Sequence, residues 1–286
     1  MLSFEDIIQK LEVYWAEIGC VILQSCDIEA GAATLNQMTS MRVLDTKPWN
    51  ICQTQFCRRP KDSRFAQNPN RLGGYYQFQV IMKPVPQNIQ ELCIKSLCSL
   101  GIDKNMHDFR FVEDNWENPS IGATGLGYEV WCDNMEITQF TYMQQLGGLP
   151  CQTIPVELTY GLERVAMYVQ EVDNIFDIKW NNKGVKYSDI HTKNIECEYS
   201  EYYQNYSEDK DFLINNFSNY LKYGQDLISK DIIIPGYEYC LKASHILNVL
   251  DSRGYLSQSD RAKKLLEIRN NVKNACEKWM KKYGNK

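Results

Sequence analysis

Arg58 and Arg59 stand side by side behind an apolar run, and Arg64 and Arg71 follow, so four arginines fall within fourteen residues. The guanidinium is a planar fork whose paired N–H groups match phosphate oxygens, and this clustering points to a phosphate site. The segment that carries them, FCRRPKDSRFAQNPNRLGGYYQFQV over 56–80, reads as a strand, a polar loop and a return strand. Such a unit holds Arg58 or Arg59 on a rigid element facing a phosphate, while Phe78 on the return strand offers a flat face to a base. A plain hairpin with a basic, solvated tip competes for the same spacing.

In VELTYGLERVAM, over 156–167, a short β-like run ends at Gly161 and leads directly into an apolar helix with Arg164 in its first turn. A cation there opposes the helix macrodipole, which favours a binding role, either pairing with a triphosphate or stacking on adenine, over helix stabilisation. A surface ion pair is the plain alternative. In EVWCDNMEITQF, over 129–140, Glu129, Glu136 and Gln139 sit on strands among large apolar neighbours. Carboxylates so placed hold a magnesium ion or a substrate ammonium, or else face solvent. Gly122, Gly125 and Gly127 run GxxGxG ahead of a strand, which is not the dinucleotide fingerprint.

The elements that must position these groups follow from hydrophobic period. Ser3 and Asp6 form a capping box for a helix whose Phe4, Ile7, Leu11 and Trp15 share one face. A second helix is expected from Asn88 to Leu100, with Asn88 and Glu91 as its capping pair. Elsewhere in the first part the period is two: 75–83, 109–113, 128–132 and 135–142 alternate and are aromatic or β-branched, with Asp133-Asn134 as a two-residue hairpin turn. Strands that follow one another without helices between them argue for an antiparallel sheet and an α+β fold. After about residue 170 helices are predicted over 211–228, 237–250 and 259–282, the last holding most of the nine basic and three acidic residues that run from Asp260 to the end. The tyrosine-rich stretch 196–211 is expected to be a surface loop.

The chain has 286 residues and 31 basic against 36 acidic side chains, a formal charge of −5 that offers little to a long nucleic-acid contact on its own. No apolar stretch approaches the roughly 20 residues of a membrane helix, and Glu5, Asp6, Glu12 and Glu17 occupy the place of a secretory leader. A cytoplasmic protein is expected. The eleven cysteines lack CxxC pairs and have only His107, His191 and His245 as partners, so reduced, buried thiols are expected rather than a zinc site or a disulfide framework.

FVEDNWENPS (111–120), NPNRLGGYYQFQV (68–80), MEITQFTYMQQLGG (135–148) and LTYGLERVAMY (158–168) together resemble the α subunit family of bacterial heterotetrameric glycyl-tRNA synthetases, class II aminoacyl-tRNA synthetases. The resemblance implies a class II core over residues 1–170, an antiparallel sheet flanked by helices, with motif 2 at 50–83 and motif 3 at 156–172. A smaller helical region over 171–286 would supply subunit contacts. It also implies activation of glycine by ATP, with Mg2+, to glycyl-adenylate, and transfer to tRNA(Gly) in company with a β subunit and a second α subunit. Carried over by position, Arg58 or Arg59 would hold the α-phosphate, Phe78 would stack on adenine and Arg164 would meet the γ-phosphate and the other adenine face, beside Gly161. Glu157 would pair the glycine ammonium, with Thr159, Gln77, Gln139 and Thr34 around it, and Glu136 would be a metal contact. Trp131, Phe140 or Tyr142 would fill the space that a methyl group needs, because a packed wall rejects a larger substrate strongly.

Ala33, Asn36 and Gln37 stand where glycine, histidine and proline are expected, Thr124 and Tyr128 replace tryptophans, and NICQTQFC (50–57) differs from the usual run of small residues. A free-standing adenylating enzyme and a non-catalytic paralogue acting as a binding subunit are the competing readings.

Overall fold

The computed structural model describes residues 1–284. Helix α1 (Phe4–Glu17) opens as predicted: Ser3 Oγ accepts the Asp6 N–H at 3.2 Å, and the Asp6 carboxylate accepts the Ser3 N–H at 2.9 Å. There follow β1 (Val21–Leu23), α2 (Gln37–Ser40), β2 (Trp49–Arg58), β3 (Gly74–Lys83), α3 (Ile89–Ser99), β4 (Phe109–Asn118), β5 (Ala123–Cys132) and β6 (Met135–Leu146). Then come β7 (Leu149–Pro150), β8 (Val156–Gly161), α4 (Leu162–Gln170), α5 (Tyr187–Ile190), α6 (Lys193–Gln204), α7 (Lys210–Ser229), α8 (Ile233–Ser252) and α9 (Gln258–Trp279).

The strands make one sheet in the order β1-β2-β3-β8-β6-β5-β4, with β7 added to β6. The α+β expectation is met with one change: β1 pairs parallel to β2, so the sheet is mixed at that edge. Asp133, at φ 51°, and Asn134 make the two-residue turn between Cys132 and Met135. The strands around 109–113 and 128–132 are longer than predicted because their continuations are polar or rich in glycine and lack the apolar alternation. In β5, Gly125 and Gly127 serve close packing: a Cβ on Gly127 would collide with the Phe140 carbonyl.

Three other expectations are corrected. The Asn88 side chain makes no capping hydrogen bond; Glu91 pairs instead with Lys95 at 2.7 Å along the helix. The stretch 196–211 is not a loop: its first half belongs to α6, capped by Thr192, whose hydroxyl accepts the Ile195 N–H. That helix buries Glu196, Ser200 and Tyr203, spaced four and three apart, and a polar buried stripe gives no apolar period to read. Helix α8 starts at Ile233, with Pro235 in its first turn where a missing N–H does no harm.

Alternation splits the sheet into two faces. Phe78, Val80, Leu158, Tyr160 and Phe140 point to one, where they meet Phe4, Ile7, Leu11 and Trp15 of α1 together with α3 and α4. Ile51, Ile81, Met143 and Leu146 point to the other and join Phe217, Tyr237, Leu241, Ile268 and Val272 of α7, α8 and α9 in a second cluster. The C-terminal helices thus share a core with the sheet. Each of these side chains contributes on the order of 1.5–3 kcal/mol by burial. Lys61, in the β2–β3 loop, pairs with Asp251 of α8 at 2.7 Å. All eleven cysteines are free, and eight are buried, as expected.

Candidate active site

On the second face, beyond the apolar cluster, the strands carry polar side chains that line an open cavity of about 280 Å³. Its walls come from β3 (Tyr75, Gln77), β8 (Glu157, Thr159, Gly161), β6 (Glu136, Gln139), the start of α4 (Glu163, Arg164), Thr34, and Arg59 with Arg71 from the hairpin. The motif-like segments of the sequence therefore converge on one place.

Arg59 leaves the end of β2 toward this cavity, its Nε donating to the Gly31 carbonyl at 2.9 Å, with its guanidinium 5.1 Å from the Tyr75 ring centre. Across the cavity Arg164 Nη1 donates to the Glu136 carbonyl at 3.0 Å and to Glu136 Oε2 at 3.2 Å. The two cations flank a deeper floor. There Glu157, almost fully buried, takes the Thr34 hydroxyl on Oε1 at 2.6 Å and the Gln79 amide on the same oxygen. Burial pushes the Glu157 carboxyl up, while these two hydrogen bonds pull it down. Glu163 accepts the Tyr76 N–H at 2.8 Å and the Tyr187 hydroxyl at 2.9 Å, yet burial outweighs these bonds and the neighbouring Arg164 cation and raises its carboxyl to about 7. Gln77 accepts the Ala33 N–H at 3.0 Å, fixing the segment that presents Thr34.

Of the residues singled out from sequence, Arg59, Arg164, Gly161, Glu157, Thr159, Gln77, Gln139, Thr34 and Glu136 line the cavity. Two do not. Arg58 turns the other way, its guanidinium 5.4 Å from Phe56 and 4.9 Å from Tyr199, beside a separate cavity of about 200 Å³ that also holds His191. Phe78 is fully buried against Tyr160 on the α1 face, 6.0 Å between ring centres, and offers no face to a base in the cavity. Residues 77 and 78 of one strand point to opposite faces, so Gln77 and Phe78 could never line one pocket. The same rule finds the aromatic ring that sequence reasoning passed over, Tyr75, two positions from Gln77.

The wall suggested against larger substrates is corrected too. Phe140 is in the core, Trp131 is tied by its Nε1 to Glu129 Oε2 at 2.8 Å, and neither they nor Tyr142 reach the cavity. Gln139 is held by its Nε2 to Asp114 at 2.8 Å. Among the described residues the one close group of metal-type ligands is His107, Cys132 and Asp133 at the β5–β6 turn, where His107 Nδ1 and Asp133 Oδ2 bond each other at 3.0 Å. None of these three lines the cavity.

The sequence profile of a family described as glycyl-tRNA synthetase alpha subunit matches residues 4–284. A glycine--tRNA ligase alpha subunit of Petrotoga mobilis is 48% identical over 280 residues, covering 98% of this chain and 96% of that one. The corresponding subunit of Rickettsia bellii is 46% identical over 287 residues, covering 99% of both. Among solved structures, a pyrrolysyl tRNA synthetase of Desulfitobacterium hafniense matches 64% of this chain and 73% of its own at a TM-score of 0.44 and 16% identity, a likeness too distant to add to the assignment.

Proposed function

The chain belongs to the glycyl-tRNA synthetase alpha subunit family, and from that premise we propose how its cavity activates glycine. The observation that carries the reading is the polarity of the cavity: Arg59 and Arg164 at the mouth, the buried carboxyl of Glu157 at the floor. A zwitterion bound with its ammonium on Glu157 directs its carboxylate toward the cations, which is where a triphosphate is held.

A glycine carboxylate oxygen attacks the α-phosphorus of ATP, the bond to the bridging oxygen of the β-phosphate breaks, and diphosphate leaves. The terminal ribose hydroxyl of tRNA(Gly) then attacks the glycyl carbonyl, AMP departs, and the hydroxyl proton is lost to solvent or phosphate. Positioning and charge stabilisation by Arg59 and Arg164 supply the catalysis, with Tyr75 against the base. Thr34 and Gln79 hold Oε1 of Glu157, and an arriving ammonium favours its ionised form. Mg2+, which neutralises triphosphate charge, takes few protein ligands and much phosphate and water. The mouth fits that habit with two partly exposed carboxylates, Glu136, paired by Arg164, and Asp62.

The partner in the reading is a β subunit that brings the tRNA, since the chain's own charge is −5; an α dimer and a cytoplasmic setting complete it. No helix among the described residues is long and apolar enough to cross a membrane. The test is glycine-dependent ATP–diphosphate exchange by the α subunit with and without β. Exchange with glycine but not alanine, lost in Glu157→Ala and Arg164→Ala, supports the reading. No exchange even with β present returns the chain to the non-catalytic alternative.

A further inference from the structure

Behind Glu157 lies a row of buried amides that no catalytic role accounts for. Asn36 caps α2, its Oδ1 accepting the Met38 N–H at 2.9 Å. Because that backbone group can only donate, the other end of the Asn36 amide must be its NH2, which donates to Gln53 Oε1 at 2.8 Å. Gln53 Nε2 then donates to Gln79 Oε1 at 2.7 Å, and Gln79 Nε2 donates to Glu157 Oε1. One backbone N–H thus sets the orientation of three consecutive amides, each with its NH2 end toward the carboxylate. Asn36, Gln53 and Gln79 are all buried, and none lines the cavity.

The arrangement is directional. Both donors to Glu157, Gln79 and Thr34, converge on Oε1, so Oε2 has no hydrogen-bond partner among the described residues and is left for a ligand. Amides polarised in series strengthen one another in a low-dielectric interior, and the last of them stabilises the ionised carboxylate that an ammonium needs. Asn36 and Gln53 are 17 residues apart in the chain, and the fold joins them in one hydrogen bond.

We infer that Asn36 and Gln53 are positioning residues for the glycine site, acting through Gln79 to hold the orientation and charge of Glu157. This rests on the reading of Glu157 as the ammonium partner. Breaking the row leaves a buried amide unpaired and swings or neutralises the carboxylate without touching the ATP end.

The experiment uses the αβ complex and four variants: Asn36→Ser, which keeps a capping oxygen but cannot reach Gln53; Gln53→Met, of similar volume without polar ends; their double; and Glu157→Gln. Thermal unfolding of each establishes that it is folded. In ATP–diphosphate exchange, each single variant should raise the KM for glycine about tenfold, equal to ~1.4 kcal/mol, leave the KM for ATP unchanged, and move the acid limb of the glycine kcat/KM profile to higher pH. The double should be no worse than the worse single, since one break interrupts the whole row. Equal rises in both KM values, an unmoved acid limb, or additive losses would overturn the inference while Glu157→Gln still abolishes glycine use. A Glu157→Gln variant with full glycine affinity removes the underlying reading instead.

Discussion

Arg58 and Arg59 are chain neighbours that serve different cavities: Arg59 Nε is 2.9 Å from the Gly31 carbonyl at the mouth of the polar cavity, whereas the Arg58 guanidinium lies 4.9 Å from the Tyr199 ring on the far side of the hairpin. Adjacent side chains on an extended backbone diverge, so the pair cannot act as one clamp. Arg59→Ala should lower kcat/KM for ATP in exchange by roughly 10²–10³, the cost of one preorganised charge donor. Arg58→Ala should leave exchange close to wild type and lower thermal stability slightly. Steady-state exchange on both variants decides it.

Tyr75 and Phe78 give the corresponding contrast on β3. Tyr75→Ala should raise the KM for ATP several-fold with little change in unfolding temperature. Phe78→Ala should cost roughly 3–5 kcal/mol of stability, as expected for a large ring removed from a filled core. Denaturant unfolding beside ATP titration separates the two.

The Glu163 carboxyl makes stability depend on pH. Its folded value, about 7, lies above the ordinary value of 4.5. Between these the native state keeps a proton that the unfolded chain has lost, so stability falls as pH rises from about 4.5 to 7 and levels off above. The full effect is on the order of 3 kcal/mol. Glu157, also pushed up by burial, acts in the same direction. Glu163→Gln keeps an acceptor for the Tyr76 N–H and the Tyr187 hydroxyl, and should flatten this part of the curve. Urea unfolding at pH 5 and pH 8 measures the difference; an unchanged slope would show that Glu163 ionises freely.

Lys83 is wholly buried, its Nζ bonded to Asp45 Oδ1 at 2.7 Å and to the carbonyls of Arg42 and Asp45 at 2.5 and 2.7 Å. Burial pulls the ammonium down, and Asp45 opposes that pull. Asp45→Ala strands the cation and should cost roughly 3–5 kcal/mol, whereas Lys83→Met with Asp45→Leu should cost much less. Chemical denaturation of the two variants makes the comparison.

Much of this was legible in the sequence. The capping box at Ser3, the apolar stripe of α1, the Asp133-Asn134 turn and the long C-terminal helices rest on local rules, and the structure has them. Arg58 and Arg59 stood out by the clustering of arginines and Arg164 by its place in the first turn of a helix, whereas Glu157 came from the family resemblance alone. What failed was relational. Choosing Gln77 and Phe78 for one pocket ignored strand alternation, and α6 hid because its buried face is Glu196, Ser200 and Tyr203. The amide row behind Glu157 joins residues 36, 53, 79 and 157, and no local spacing encodes contacts at such separations.

The Tyr237 hydroxyl of α8 donates to the Leu35 carbonyl at 2.9 Å, one residue from Thr34. The Glu157 end of the cavity is therefore hung from the C-terminal bundle, and a displacement of α8 is carried to the threonine that holds Glu157. If a partner docking on that bundle moves the helix, glycine affinity changes with it, and by linkage bound glycine changes the partner's affinity by the same factor. Assembly and substrate selection would then be two readings of a single equilibrium.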